Sequence, residues 1–293
     1  MDLTQLETLV AVAEEGTLSA AARRRNLSQP AVSLQMKALE EDLGAPLLLR
    51  KARGVTLTPA GEVFLGQARR ALQAVQSGRS QVADIQGLRR GNLRLGATDA
   101  AATEILATAF LRFHGRHPRI EVSVEIEPTG ALVRGLRQAR FDLALGTLPV
   151  EEDDILVRDL SRERLGIVVP AGAPPADLKE LLGREPFIAY PRGSTTRRIV
   201  DEALARAGLP ARPVMEIGRP AVMARLVAAG LGVSVLPESV SRPLVAEGAL
   251  GLVPFERFLV IRSLGLLTLR HQEHEPAARA MKEILETGLT ASP

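Results

Sequence analysis

The chain has 293 residues, 46% of them hydrophobic, no cysteine, and a formal net charge of +3 at pH 7. That length suits two or three compact units. The missing cysteines exclude disulfides and thiol chemistry, and no run of 18 apolar residues escapes interruption by charge, so no membrane span is expected. The positive excess sits at one end: residues 1–90 carry 12 Lys/Arg against 9 Asp/Glu, and the remaining 203 carry 25 of each, which leans toward a polyanion partner for the N-terminal unit.

The opening stretch, MDLTQLETLV, has neither a basic region nor a small-residue cleavage site, so it does not read as a secretory leader, and a cytoplasmic protein is expected. Leu3, Leu6, Val10 and Ala13, with Leu9 beside them, recur at helical spacing and predict one apolar helix face that stops at Gly16. A second short helix is expected over LSAAARRRN, with Leu18, Ala21 and Ala22 inward and Arg23, Arg24 and Arg25 outward. Ser28-Gln29-Pro30 then opens a third helix, Ser28 as cap and Pro30 in the first turn, which runs to Leu43 and closes at Gly44.

On that third helix Val32, Met36, Leu39 and Leu43 share one stripe. Pro30, Leu34, Lys37, Ala38 and Glu41 lie opposite, with Ser33 on the shoulder. A leucine facing outward among small and polar neighbours suits a major groove, where it can touch a thymine methyl. Three short helices with a tight second turn make a helix-turn-helix whose third helix reads DNA; a generic three-helix bundle is the alternative. The stretch PLLLRKARGVTLTPAG reads as strand, basic turn and strand, with Arg50, Lys51 and Arg53 around Gly54. Such a wing would set cations on phosphates or in the minor groove, although a solvated hairpin would look the same. The DNA-binding candidates are therefore Ser28, Gln29, Pro30, Ser33, Leu34, Lys37, Arg50, Lys51 and Arg53.

The stretch from LETLVAVAEEGTLSAAARRRNLSQPAVSLQMKALEEDLGAPLLLR through KARGVTLTPAGEVFL closely resembles the LysR-type transcriptional regulators. The specific parts are the small-residue second helix, Ser28-Gln29-Pro30-Ala31-Val32-Ser33, Leu39-Glu40, Leu43-Gly44, Arg50, and Leu57-Thr58-Pro59-Ala60-Gly61. The likeness continues more loosely to about residue 285. One position departs: many members carry Arg where this chain has Leu34. The resemblance implies DNA binding to promoters, a homodimer that pairs into a tetramer, and contact with RNA polymerase.

From Pro59 to about Leu88 a seam of Phe64, Ala68, Ala71, Val75, Val82 and Ile85 predicts one long helix. Gly66 and Gly78 weaken it by about 1 kcal/mol each relative to Ala, so it should pair with something. The resemblance implies a dimerising linker; packing on its own domain is the plain alternative.

Beyond residue 90, strands and helices alternate: Asn92–Ala97, a helix from Thr98-Asp99 to Phe113, VSVEIEP, a helix from Thr129-Gly130, and Phe141–Gly146. The pattern restarts at LGIVVP and continues through FIAY, VMEI and VSVLP. Alternation of this kind means parallel sheet with covering helices, read here as two α/β subdomains. The resemblance implies a two-lobed effector domain similar to type 2 periplasmic binding proteins, with crossings near Ser161–Glu163 and Arg262–Leu264 and a last helix, Ala277–Leu285, returning to the first lobe. The expected organisation is a winged helix-turn-helix at 1–58, a linker helix at 59–90, and a regulatory domain at 91–293. Within the last, lobe I is 91–162 plus 264–293 and lobe II is 163–263.

Ligands of such sheets sit beyond strand C-termini, at helix N-termini. The effector-binding candidates are Thr98, Asp99, Thr129, Thr147, Ser194, Thr195 and Arg219, a set that suits a small organic acid or other anion. Asp99 runs against that, since a carboxylate repels an anion; its plain role is to cap the helix starting at Ala100, and each Ser or Thr has the same plain reading. His114/His117 and His271/His274 have no third ligand in sequence and are set aside as metal sites, and Gly230-x-Gly232 lies in the wrong order for a dinucleotide turn. No cofactor and no enzymatic activity are expected. Two other readings stay open: a DNA-binding regulator whose C-terminal domain only oligomerises, and a solute-binding protein with structural N-terminal helices.

Overall fold

The computed structural model describes residues 1–51, 54–85, 91–173, 177–270 and 275–288. The first helix, α1 (Leu3–Glu15), begins with a capping box between Asp2 and Gln5, both bonds 2.9 Å, and ends on Gly16 at φ +67°. Its buried residues are Leu6, Thr8, Leu9, Ala11 and Val12, whereas Leu3, expected inward, is exposed. The apolar face is broader than the periodicity predicts because α1 is covered from several sides, by α2 (Leu18–Arg25), α3 (Gln29–Leu43) and α4 (Pro59–Ile85). Helix α2 is capped by Thr17 and stopped by Asn26 at φ 54°, and it buries Ala21 and Ala22 as expected. Helix α3 buries Val32, Met36 and Leu39. Leu43, placed on the same stripe by sequence, is exposed in the last turn before Gly44.

Strands β1 (Leu48–Lys51) and β2 (Gly54–Leu57) form the expected antiparallel hairpin, Lys51 opposite Gly54. The hairpin is seated on the end of α1: Val55 N–H donates to the Gly16 carbonyl at 2.8 Å. A Cβ on Gly54, whose φ is +93°, would stand 2.4 Å from that oxygen, so both the conformation and the approach require glycine. The LTPAG motif has a similar physical reading. The Thr58 hydroxyl accepts from Gly61 N–H at 2.9 Å and donates to the Pro46 carbonyl at 2.7 Å, which starts α4. A Cβ on Gly61 would meet the Leu47 carbonyl oxygen at 2.2 Å.

The regulatory part begins with β3 (Gly91–Ala97). It continues through α5 (Asp99–Ala101), a π-helical turn (Ala102–Leu106), α6 (Ala107–Arg116), β4 (Ile120–Ile126), α7 (Thr129–Arg137) and β5 (Leu143–Thr147). Strand β3 runs parallel to both β4 and β5, as alternation predicts. The long β6 (Ile155–Pro170) leads to α8 (Leu178–Arg184), β7 (Phe187–Ala189), α9 (Thr195–Arg206), β8 (Pro213–Glu216), α10 (Pro220–Ala228), β9 (Ser234–Pro237), α11 (Glu238–Ala246) and β10 (Leu250–Leu252). Strand β11 (Val260–Leu269) then returns to α12 (Pro276–Gly288).

Here the pairing departs from the all-parallel expectation. Among the described strands of the second half, β7 and β8 pair in parallel, with one further parallel bridge between Phe187 and Val233, while β6 is antiparallel to β9, β10 and β11. The cause is that β6 and β11 are long strands running in opposite directions through both halves. The segments expected to cross between lobes are register partners on them: Arg262 faces Glu163, and Leu264 faces Ser161.

Three apolar clusters of the described residues pack on these strands, one of them Leu132, Leu136 and Phe141 with Ile155 of β6 and Leu267 of β11. Leu93, Leu95, Ile105, Phe113 and Leu145 pack with Met281 and Leu285 of α12, so the last helix does return to the first half. Leu165, Phe187, Ile188, Val200, Met223 and Val235 form the core of the second.

Candidate DNA-reading surface and interlobe site

The reading helix is held from within. Buried Thr8 donates to Gln35 at 2.6 Å, fixing α3 against α1, and Glu40 accepts from the backbone N–H of Leu47 and Leu48 at 2.7 and 3.0 Å, fixing the hairpin against α3. Ser28 caps α3, its hydroxyl accepting from Ala31 N–H at 3.3 Å. Gln29 and Pro30 lie exposed in the first turn, Ser33 is half-buried, and Leu34 is 69% exposed. Lys37 faces outward and makes an exposed pair with Glu41 at 3.6 Å. Arg24 and Arg25 of α2 are engaged by Glu14 with Glu15 and by Glu7, and the Glu14 charge raises the Arg24 pKa further. Lys51 is exposed on β1, and Arg50 lies on the same strand opposite Val55. Arg53 lies outside the described residues. The face opposite Val32, Met36 and Leu39 is thus an uncovered strip with a basic hairpin attached to the same helix.

In the regulatory part, Thr98 is the cap of α5, its hydroxyl accepting from Ala101 N–H at 3.3 Å. This corrects the expectation that Asp99 caps a helix starting at Ala100: Thr98 has the extended cap backbone, and Asp99 is already the first helical residue. Thr129 and Thr147 come together, since the buried Thr129 hydroxyl accepts from Thr147 N–H at 3.1 Å. Ser194 caps α9, accepting from Arg197 N–H at 3.1 Å, and Thr195 opens that helix. Helices α5 and α9 both pack on β11, one from each half. Arg219 stands apart: it precedes α10, is exposed, and its helix packs on β9, β6 and β10.

The strongest polar constellation at this junction was missed by the sequence reading. Arg262 of β11 is 2% exposed and makes a buried ion pair with Glu163 of β6. Its Nη1 donates to Thr196 of α9 at 3.1 Å, and Glu163 also accepts from Ser239 of α11 at 2.7 Å. Among the described residues, neither the Arg262 Nε–H nor the hydroxyl of the buried Tyr190, just after β7, meets a partner within normal hydrogen-bond geometry. Burial pushes the Tyr190 phenol well above its ordinary pKa, against the Arg262 charge, so it stays protonated. The only hint in the sequence is a lone arginine inside the apolar run VIRSLGLL.

Among the described residues, no three His, Cys, Asp or Glu side chains are grouped to hold a metal. His117 ends α6 with its ring 5.1 Å from that of Phe113, and His271 and His274 lie outside the described residues. No helix of the described residues is long and apolar enough to cross a membrane.

A winged helix-turn-helix followed by a two-part α/β domain with a polar junction defines a ligand-responsive transcription regulator. Residues 3–62 match the bacterial regulatory helix-turn-helix family of LysR type, and residues 86–290 match the LysR substrate binding domain. The chain belongs to the LysR family of transcriptional regulators. Similar proteins include the HTH-type transcriptional regulator CbbR of Xanthobacter flavus, 30% identical over 97% of this chain and 87% of that protein. The probable regulator LrrA of Synechococcus elongatus is 33% identical over 97% of this chain and 96% of its own length. A full-length OxyR structure from Pseudomonas aeruginosa superposes with a TM-score of 0.72 at 27% identity, covering 99% of this chain and 95% of that one. These relatives are regulators and not enzymes.

Proposed function

We propose that the chain acts in the cytoplasm as a homodimer, pairing further into a tetramer, and controls transcription by reading promoter DNA with α3 while the wing cations hold the backbone. The observation that carries this reading is the exposed strip of α3, where Leu34 and Lys37 face solvent on a helix whose other side is buried. In the groove, Leu34 meets a thymine methyl, and Gln29, Pro30 and Ser33 lie at the leading end with the Ser28 cap near a phosphate. Arg50, Lys51 and Arg53 take phosphates or the minor groove.

The domain division that fits is 1–58, 59–90 and 91–293, with an effector carrying an acidic group bound between the lobes near Thr98, Thr129, Thr147, Ser194 and Thr195. Effector binding changes transcription only by favouring one assembly over another, and contact with RNA polymerase transmits the result. Gel-shift titration against the DNA upstream of its own gene tests the reading. Saturable binding that weakens steeply with salt and discriminates against unrelated DNA is expected; equal binding to any duplex contradicts it.

A further inference from the structure

A cleft of about 1540 Å³ opens between α1, α4 and the first lobe, and none of the lobe-junction residues lines it. Its α1–α4 wall has a charged end and an apolar stretch. At the charged end Arg69, 8% exposed, pairs through Nη2 with Glu14 at 2.9 Å, while its Nη1 is buried without a partner among the described residues. Leu72 and Val75 follow on α4, about 9 Å along the helix from Arg69 to Val75, and Val10 and Leu3 lie one and three turns before Glu14 on α1. The Arg69 charge is incompletely matched. Glu14 also serves Arg24 at 2.6 Å, Glu7 is taken by Arg25, and Asp142 by Arg94. Burial lowers the Arg69 pKa, and the charges of Arg140 and Arg94 push it the same way against Glu14. A buried guanidinium N–H with no acceptor is costly, and one anionic group in the cleft would remove that cost.

We propose that this cleft is a second ligand site, separate from the lobe junction, for an amphiphilic monocarboxylate: its carboxylate accepts from Arg69 Nη1 and its apolar chain lies along Leu72, Val75, Val10 and Leu3. A single negative charge suits the cleft, because Arg116 and Arg119 on the first-lobe wall are accompanied by Glu121 and Glu275. A polyanion would be opposed by those carboxylates, and an amine would leave Nη1 without an acceptor beside a second cation. The exposed residues Ala60, Val63, Gln67 and Ala74 lie on the opposite face of α4 at 100° per residue, so a ligand here leaves that face to a partner protomer. Gln73 and Asp142, which bond to each other, line the same cleft, so the ligand lies against the link between α4 and the regulatory domain.

Calorimetry on the full chain tests this with octanoate, acetate and octylamine, each below the concentration at which it self-associates. Octanoate is expected to bind, with acetate weaker by about a hundredfold or more for want of the buried methylenes, and octylamine weaker by about tenfold or more. Arg69→Lys keeps the charge and a partner for Glu14 but removes the second donor, and it should weaken octanoate about tenfold. Location is read independently of that variant. The chain has no cysteine, so Val75→Cys places a single thiol on the cleft wall, and octanoate should slow its labelling by a maleimide dye severalfold. This second measurement decides the matter if Arg69→Lys does not fold. Absence of octanoate binding, binding of acetate or octylamine as tight as that of octanoate, affinity unmoved in a folded Arg69→Lys protein, or a Val75→Cys thiol labelled equally fast with and without octanoate would each overturn the proposal, and none of them touches the reading of an effector between the lobes.

Discussion

At the residue scale, the side chain that most directly tests the proposed DNA-reading face is Leu34. It is exposed in the middle of a strip that otherwise carries small or polar groups, and an exposed leucine gains little from water. Leu34→Arg should therefore change base preference more than overall affinity, because a guanidinium selects guanine where a leucine selects the thymine methyl. Selection of binding sites from a randomised operator, compared between the two proteins, checks this; identical consensus sequences would mean that α3 enters the groove in a different orientation. On the regulatory side, Arg262→Met strands the Glu163 carboxylate in the interior and is expected to cost about 3–5 kcal/mol, while the double change with Glu163→Gln recovers much of the loss. Urea unfolding of the two variants gives the comparison. A single variant as stable as the parent would show that the pair is not closed off from water.

At the scale of elements, the hairpin and α4 are joined to the first three helices by backbone bonds and close approaches. Gly61→Ala drives a methyl into the Leu47 carbonyl, and overpacking of this kind costs about 1–3 kcal/mol. Thr58→Ala removes the α4 cap for about 0.5–2 kcal/mol. Both should lower the melting temperature and weaken DNA binding together, since they displace the wing; Thr58→Ala with normal melting and normal DNA affinity would rule out the capping role. This level was unevenly legible in the sequence. The α3 stripe and the hairpin follow from period and turn chemistry, which are local. The α1 face was misjudged at Leu3, Ala11 and Val12 because periodicity predicts one covered side and tertiary structure supplies several. The Glu163–Arg262 pair joins residues 99 apart in the chain, and nothing local marks either as a partner of the other. The candidates Thr98, Thr129 and Ser194 were found because helix starts after strands are readable, and for the same reason their hydroxyls turn out to be engaged locally, at caps or at a neighbouring strand end.

At the scale of the whole molecule, α4 is the bridge. On one side the buried Arg69 pairs with Glu14 of α1 at 2.9 Å, and burial lowers its pKa. On the other, Arg70 donates to the Arg137 carbonyl at 3.1 Å, Gln73 donates to Asp142 at 2.8 Å, and Gly66 passes so close that a Cβ would stand 3.0 Å from the Arg137 oxygen. Asp142 is itself held by Arg94, through its backbone N–H and its guanidinium. The seam glycine that weakens the helix is thus also the point where the regulatory domain approaches it. The cleft of about 1540 Å³ lies beside these bonds, between α1, α4 and the first lobe. Gln73→Leu should therefore leave DNA affinity in the absence of ligand and ligand affinity in the absence of DNA near their parent values, while shrinking the factor by which one changes the other. Titrations of DNA with and without saturating ligand measure that factor, and an unchanged factor would move the coupling elsewhere.

The central claim is that α3 and the wing of each protomer read DNA as a symmetric pair. Hydroxyl-radical footprinting of the full chain on the DNA upstream of its own gene tests it most directly. The account predicts two protected half-sites spaced by about one helical turn, 10 to 10.5 base pairs, or a multiple of it, both lost when Leu34 and Lys37 are replaced by Glu in a chain that still folds. Protection of one site only, or two sites that survive the Leu34→Glu and Lys37→Glu changes, would contradict it.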